Sequence, residues 1–312
     1  MSRMSQAVSA ALLLACGSVA PVLAQPPDTQ PIPTQDTEQL AEVTVTAARL
    51  SLIGHSTTAS QGVVTRTEID LAPAFRPAQV LETVPGLDVT THSGEGKANQ
   101  YLMRGYNLDH GTDLALFVDG MPINEPTHAH GEGYADINFL LPELATHVTY
   151  TKGTYYVAEG DFASVGSIHI NYLDTLPAQV SVGVGTLDFH RYFAAGSSSI
   201  RDGNLLGAFE FQHYDGPSTL PGDQQKYNGV LRFSTGGPDK GYSITAMDYH
   251  DTWNSQTDVP YEALYDGELA SRWDQMDKTD GGYAHRVSLS WQYHHHLGDG
   301  QFLANATPSA IT

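Results

Sequence analysis

The chain has 312 residues, of which 35 are acidic and 15 basic, and its formal net charge at pH 7 is -20. This charge repels phosphate backbones, so nucleic acid is excluded as an expected partner, whereas a cationic, metal-bound or neutral ligand is compatible with it. The single cysteine, Cys16, lies in the N-terminal apolar run, which excludes disulfides and thiolate metal sites from the rest of the chain. Histidine, with 14 copies, is the remaining soft metal ligand.

Residues 1–24 have the three parts of an export signal. A short basic region is followed by an apolar stretch from Ala7 to Ala15 and by a cleavage site that ends at Ala24. We therefore expect the mature protein to leave the cytoplasm. A competing interpretation is a lipoprotein signal at Leu13 to Gly17, in which Cys16 is lipidated.

A flexible segment is predicted for residues 25–60. Gln25 to Ala41 is rich in Pro, Gln, Thr and Asp and predicts a disordered tether. A run with the alternation of a β-strand comes next: Glu42, Val43, Thr44, Val45, Thr46 and Ala47. Because this run has no neighbouring strand in sequence, it is free to pair with the sheet edge of another protein.

Residues 61–175 have the pattern of a compact α/β domain. Gly62 to Thr65 predicts a strand, Thr67 predicts a helix N-cap with Asp70 three residues on, and Pro77 to Val84 predicts a second helix. Five further strands are predicted: Leu87–Thr91, Gln100–Arg104, Asp113–Asp119, His147–Lys152 and Val165–Tyr172.

Residues 176–312 change to long segments in which apolar and polar side chains alternate. Strands are predicted at 179–186, 189–199, 204–214, 227–235, 241–253 and 283–296. Beyond the export signal no window approaches the roughly 20 apolar residues of a membrane helix, so any membrane crossing has to use strands. The alternation is typical of a transmembrane barrel, although a soluble β-sandwich has the same period.

The lengths of the connections favour the barrel. The links at Ile200–Gly203, Ser234–Lys240 and Leu297–Gly300 are short, whereas those at Asp215–Lys226 and Asn254–Gly282 are long and polar. Short turns on one side and long loops on the other are typical of outer-membrane barrels.

Ordered motifs run from residue 42 to residue 170. They are Glu42–Ala47, Val63–Thr65, Val84–Val89, Met103–Tyr106, Leu116–Ile123, His147–Gly153 and Gly166–Ile170. In this order they resemble the TonB box, the first half of the plug, the Arg-Gly and Asp-Gly-x-Pro signatures, and the closing plug strands of the TonB-dependent outer-membrane receptor family. Two positions depart from the family pattern. Gly153-Thr154 stands in place of the usual Gly-Pro, and Val165-Gly166 stands in place of the usual double glycine. These departures concern the class of ligand and not the fold.

This resemblance implies an α/β plug domain followed by the first antiparallel strands of a transmembrane β-barrel in the outer membrane of a Gram-negative bacterium. The implied function is TonB-energised uptake of a scarce small-molecule or metal-complex ligand, foremost a metal chelate such as a ferric siderophore. The implied partners are outer-membrane lipid and the TonB C-terminal domain, which would gain a strand from the coupling segment. No catalytic residue and no cofactor is implied, so we do not expect an enzyme.

The loop after the Asp-Gly motif carries the candidate ligand-binding residues. Together with one earlier histidine they are His110, Glu125, His128, His130 and Glu132. In an extended loop His128 and His130 lie on one side, as a pair of metal ligands would. The competing interpretation is that these histidines bond the loop to the plug or to the barrel wall. His294 to His296 is predicted to be a solvated strand end.

The segment from Asp251 to Gly282 is predicted to be an acidic outer loop with eight carboxylates. It either binds Ca²⁺ or a cationic complex, or is simply solvated.

Three alternatives to chelate uptake remain at this point. The first is a direct divalent-metal or metallophore receptor that uses the plug histidines, and metal dependence of ligand binding separates it from a siderophore receptor. The second is a secreted metalloenzyme centred on His128 and His130, although no acid-base pair or HExxH motif accompanies them. The third is a non-transporting surface binding protein, which would not need Glu42 to Ala47.

The residues after 175 are too few to close a barrel around a plug. At roughly 9 to 11 residues per spanning strand they form about six strands and the start of another, Gln301 to Ala304, whereas about 22 strands are needed. Unpaired strand edges in hydrocarbon cost several kcal/mol per group. We therefore expect these 312 residues to be part of a longer protein, and to aggregate or be degraded when expressed alone.

Val45→Pro should abolish binding to the TonB C-terminal domain, because proline removes a backbone donor from the strand that would pair with TonB. Ligand affinity at the cell surface should not change. A pull-down of the complete protein with the purified TonB domain measures the first effect, and ligand binding to whole cells measures the second. TonB binding that survives the substitution would contradict the coupling assignment.

Overall fold

The computed structural model describes residues 58–311, except for 73, 92–93, 238, 255–256 and 298–299. The predicted signal, tether and coupling segment, Glu42 to Ala47, lie outside the described residues. Eight strands form the first part of the structure: β1 Gln61–Thr65, β2 Leu87–Thr90, β3 Gln100–Met103, β4 Tyr106–Asn107, β5 Leu114–Val118, β6 Met121–Pro122, β7 Ala145–Lys152 and β8 Gly166–Tyr172. Eight more follow: β9 Gln179–Val184, β10 His190–Ile200, β11 Gly203–Tyr214, β12 Gln224–Gly236, β13 Lys240–Asn254, β14 Gly281–Leu297, β15 Gly300–Ala306 and β16 Ser309–Ile311.

The helices are short. The α-helices are α1 Arg66–Leu71 and α2 Tyr261–Tyr265, and the 3₁₀ helices are Pro77–Thr83, Pro142–Leu144 and Val157–Glu159. Among the described residues, no helix is long and apolar enough to cross a membrane.

The first eight strands form an α/β domain with two sheets. The larger sheet has the order β1-β7-β8-β5-β6, in which only β5 and β8 are parallel, and β2, β3 and β4 form the smaller sheet. Its core consists of apolar side chains from both sheets, and Leu81, Leu116 and Val148 are at most 1% exposed. The predicted strands of this domain are all present.

The predicted start of α1 is wrong. Thr65, not Thr67, is the N-cap, because Thr65 and Glu68 form a reciprocal capping box. The Glu68 carboxylate accepts from the Thr65 backbone N–H at 2.7 Å, and the Thr65 hydroxyl accepts from the Glu68 N–H at 3.4 Å. The predicted helix at Pro77 to Val84 is a 3₁₀ helix that ends one residue earlier.

Strands β9 to β16 form a second, entirely antiparallel sheet with the order β15-β14-β13-β12-β11-β10-β9, in which β16 also pairs with β14. The sheet is open in the described part of the chain. All six predicted strands are present, and the predicted start of another, Gln301 to Ala304, lies in β15. The links at 201–202, 237–239 and 298–299 are short, and those at 215–223 and 255–280 are long.

The two faces of this sheet have opposite character. On the outward face Phe209, Leu231 and Leu289 are 51%, 53% and 51% exposed. On the inward face, which packs against the α/β domain, Glu210 and Ser290 are 1% and 2% exposed. An apolar outer face with a polar inner face is expected of a barrel wall in lipid, and is the reverse of a soluble sandwich.

Aromatic side chains cluster at both ends of the outward face. Tyr192, Phe211 and Tyr227 follow one another across β10, β11 and β12 near the long loops, with ring centroids 6.2 and 4.9 Å apart. Trp291 and Tyr293 stack at 6.3 Å near the short turns. These positions match the aromatic girdles of outer-membrane barrels.

Buried ion pairs join the inward face to the α/β domain. Arg232 of β12 contacts Asp119, which follows β5, and its Nη2 is 3.0 Å from Asp174. The Thr245 hydroxyl donates to Asp119 at 2.7 Å. Because both side-chain partners of the Asp119 carboxylate lie on the barrel strands, removing Arg232 leaves a buried charge without a counter-ion, which costs about 3–5 kcal/mol.

A second cluster lies nearer the first barrel strands. Arg191 of β10 binds Glu143 of the α/β domain at 2.7 Å and Glu210 of β11 at 2.6 Å. Lys226 Nζ is 2.7 Å from the other oxygen of Glu210. Glu210 is 1% exposed, so this carboxylate depends on both cations for its stability in the interface.

Leu231→Arg tests which environment the outward face contacts. A guanidinium in the middle of β12 should destabilise the complete protein in a bilayer by about 2–4 kcal/mol. Gln225→Arg, on the same face of the same strand but near its end, should cost about 0–1 kcal/mol. Denaturant unfolding in lipid bilayers measures both values. Equal costs for the two variants would show that lipid does not cover this face.

Candidate metal-binding site on the α/β domain

A tight turn after β4 presents two possible metal ligands. The N–H groups of Gly111 and Thr112 donate to the Leu108 carbonyl at 2.9 and 3.0 Å, which closes the turn around Asp109 and His110. Asp109 has a left-handed backbone with φ 49°, a conformation that aspartate adopts more readily than most residues.

The loop 124–134 folds back onto this turn. Glu125 and Tyr134 form an isolated antiparallel bridge at its base, and the Ala135 N–H donates to the His110 carbonyl at 2.8 Å. The Asn124 side chain ties the two segments together, since its amide donates to the carbonyls of Gly111, Leu114 and Gly133 at 2.9, 2.9 and 3.0 Å. Asn124 therefore positions the loop, a role that the sequence pattern did not indicate.

This folding brings together Asp109, His110 and His130, which we call the plug trio. One ligand atom from each lies within 4.8 Å of the others. His110 Nε2 is 3.8 Å from Asp109 Oδ1, and His130 Nε2 is 3.7 Å from Asp109 Oδ2. The two rings meet edge to face with centroids 4.5 Å apart. Two imidazoles and one carboxylate form a donor set that suits zinc and copper.

The two histidines of the trio differ in burial and in access from solvent. His110 is 3% exposed, and its Nδ1 lies 3.2 Å from the Asn99 carbonyl oxygen. Because a carbonyl only accepts, Nδ1 carries the proton, and Nε2 is the ring nitrogen on the side of Asp109. His130 is 47% exposed and is the ligand that faces solvent.

The other predicted residues lie beside the trio. The predicted pairing of His128 with His130 does not occur, because the loop bends at Ala129 and His130 and is not extended there. His128 stacks on Tyr134 at 3.9 Å, and its Nδ1 accepts from the His130 N–H at 3.1 Å. Glu132 is exposed.

Two carboxyl groups near the trio have raised pKa values. Burial raises the pKa of Glu125, and the charges of His128 and Arg286 oppose the rise. Burial raises the pKa of Asp136 to about 6, against a hydrogen bond at 2.8 Å from the Asn138 N–H. Asp136 therefore titrates near pH 6, so its carboxyl group beneath the loop gains its negative charge as the pH rises through about 6.

The trio lies towards the long-loop end of the barrel strands. The Tyr134 hydroxyl accepts from the Ala98 N–H at 2.9 Å. Nearby, Gly96 lies so close to Trp253, at the end of β13, that a Cβ would come within 2.2 Å of the indole. By contrast, His294 near the short turns is 2.9 Å from the Gly237 carbonyl oxygen.

A cavity of about 580 Å³ separates the α/β domain from the long loops. Its wall includes two cations, two carboxylates and two large aromatic rings, which are Arg76, Arg272, Glu95, Asp258, Tyr214 and Trp273. The segment at 251–282 was predicted to be one acidic loop, but Asp251 lies in β13, where it is fully buried. The Gln224 amide donates to Asp251 at 2.8 Å from the adjacent strand.

A domain of this topology, packed on the polar face of an open antiparallel sheet, defines a plug and the wall of a transmembrane barrel. The family model that matches is the TonB-dependent Receptor Plug Domain, over residues 54–167. Residues 54–167 are therefore similar to the plug of TonB-dependent receptors, and the fold of the described residues is similar to that of solved receptors of this kind.

Relatives and solved structures agree on this fold. The chain is 25% identical to the vitamin B12 transporter BtuB of Vibrio vulnificus over 277 residues, 85% of the chain and 41% of BtuB. The copper transporter OprC is 17% identical with a TM-score of 0.60, covering 80% of this chain and 37% of OprC. The ferric yersiniabactin receptor FyuA of Yersinia pestis is 19% identical with a TM-score of 0.60, covering 81% and 41%. The chain thus spans about two fifths of BtuB.

His130→Ala should weaken the binding of Zn²⁺ or Cu²⁺ at the plug trio of the purified complete protein by at least about tenfold, since metal sites lose about 10–100-fold even when a supporting partner is removed. His128→Ala, two residues away and equally exposed to solvent, should change the affinity little, because its Nδ1 bonds the loop backbone. Competition with a chelator of known affinity measures both. Equal losses in the two variants would favour the predicted His128 and His130 pair over the trio.

Proposed function

We propose that the complete protein imports a metal-containing solute across the outer membrane with energy from TonB, and that the plug trio contacts the metal. The observation that carries this proposal is the convergence of Asp109, His110 and His130 within 4.8 Å of one another. The buried, hydrogen-bonded His110 gives the trio a fixed ligand, and His130 gives it access from the outside. Imidazole and carboxylate donors suit a divalent transition metal that arrives free or weakly chelated.

Uptake then proceeds by coupled binding and mechanical work. The Glu42–Ala47 segment adds a strand to the TonB C-terminal domain, and pulling across that strand loads several backbone hydrogen bonds together. The tether carries the force to the plug, part of which unfolds locally and opens a path through the barrel. The side chains only bind and release the solute, so no step needs a catalytic residue.

The outer cavity supports a second candidate, a metal held in an organic chelate such as a ferric siderophore. Arg272 offers positive charge to an anionic chelate, and so does Arg76, although its Nη2 also pairs with Glu95 at 3.3 Å. Tyr214 and Trp273 offer aromatic faces. In such a complex the chelator already surrounds the metal. Loss of the plug histidines would then matter less than loss of the arginines.

Growth of cells that depend on the complete protein for uptake, under iron, zinc, nickel or copper limitation, tests the proposal. If the trio binds the metal, His110→Ala with His130→Ala should impair growth on one divalent metal, while Arg76→Ala with Arg272→Ala has little effect. The reverse pattern, confined to a ferric chelate, would establish the second candidate. Both variants must insert in the membrane as the wild type does, measured by surface labelling. Growth unchanged by either pair would refute both ligand assignments.

A further inference from the structure

A second group of possible metal ligands lies on the barrel wall, separate from the plug. It consists of Asp188, His190, His213, Asp215 and Asp223, which we call the rim cluster. His190 of β10 and His213 of β11 are directly opposite in register. Both lie on the outward face, two residues beyond the aromatic pair Tyr192 and Phe211. The cluster therefore lies above the lipid-facing belt, at the end of the strands that carries the long loops.

The distances within the cluster match those of a metal site. His213 Nε2 is 3.5 Å from Asp188 Oδ2 and 3.5 Å from Asp215 Oδ1. Zn²⁺ bonded tetrahedrally at about 2.0–2.2 Å keeps its ligand atoms about 3.3–3.6 Å apart. All three ligand atoms lie within 4.8 Å of one another. A small shift of the side chains would complete the coordination.

Neighbouring groups hold these ligands in place. His190 Nε2 is 2.7 Å from the other oxygen of Asp188, as expected for a partner that orients a ligating carboxylate. Asp223 Oδ1 is 3.8 Å from His213 Nδ1, which leaves Nε2 as the ring nitrogen that faces the other two ligands.

We propose that Asp188, His213 and Asp215 bind one divalent transition-metal ion at the outer rim, with Zn²⁺ as the best match. An imidazole with two carboxylates favours Zn²⁺ over Ca²⁺, which takes oxygen ligands only. The ion cross-links two neighbouring outer segments, because Asp188 precedes β10 and Asp215 follows β11. One backbone hydrogen bond, from the Asp215 N–H to the Leu187 carbonyl at 3.0 Å, also joins them. This site is independent of the imported solute.

The stoichiometry of Zn²⁺ binding to the purified complete protein tests the proposal. In the His130→Ala background, which disables the plug trio, the protein should still bind one ion at the rim. Adding His213→Ala should remove that ion, whereas adding His250→Ala, an exposed histidine on the same outward face but outside the cluster, should not. Asp215→Asn, which keeps the shape of the side chain, should also remove it. Loss of heat-modifiable migration would reveal a variant that has not folded.

Limited proteolysis tests whether the ion cross-links the two outer segments. Zn²⁺ should protect the link at 215–223 in the wild type and in His250→Ala, and a chelator should reverse the protection. Neither His213→Ala nor Asp215→Asn should gain protection. One rim ion retained by both folded variants would overturn the site. Equal affinity for Ca²⁺ would overturn the assignment to a transition metal.

Discussion

The fold depends on one constraint, which is that the inward face of the barrel wall carries charges that water does not reach. Glu210 is 1% exposed and survives there because Arg191 and Lys226 both bind it. Arg232 in turn is neutralised by Asp119 and Asp174 of the plug side. A buried charge without such partners costs several kcal/mol, so the plug and the wall each supply counter-charges that the other needs.

This type of interface suits a domain that has to hold its place and yet be rearranged. Discrete polar pairs exchange for water more readily than a continuous apolar core, which would have to be exposed as a whole. The apolar core of the plug, by contrast, is concentrated within its own two sheets, where Leu116 and Val148 are fully buried. Force from a tether would therefore act on an interface of separable contacts and on local parts of the plug.

The two proposed metal sites differ in ways that match their proposed roles. In the plug trio His110 is buried and fixed by the Asn99 carbonyl, while His130 remains open to solvent, an arrangement suited to capture and release. In the rim cluster the ligands lie at and just beyond the paired ends of β10 and β11, so a bound ion adds a connection between strands that the sheet already pairs. Both sites use imidazole with carboxylate because the single cysteine of the sequence, Cys16, lies far from both along the chain, and each has to exclude hard cations by its nitrogen ligands.

The sequence by itself determined the secondary-structure elements that short sequence patterns predict. Period-2 alternation, glycine turns and link lengths predicted the plug strands and all six barrel strands, because each depends on neighbouring residues only. The plug packed against the wall decided which face of the sheet is polar and buried, and it decided that the Asp251 side chain is buried. The partner of His130 was also decided by tertiary structure. Hydrogen bonds from Asn124 fold its loop onto the turn at His110, and no short-range pattern reports contacts between residues so far apart in sequence.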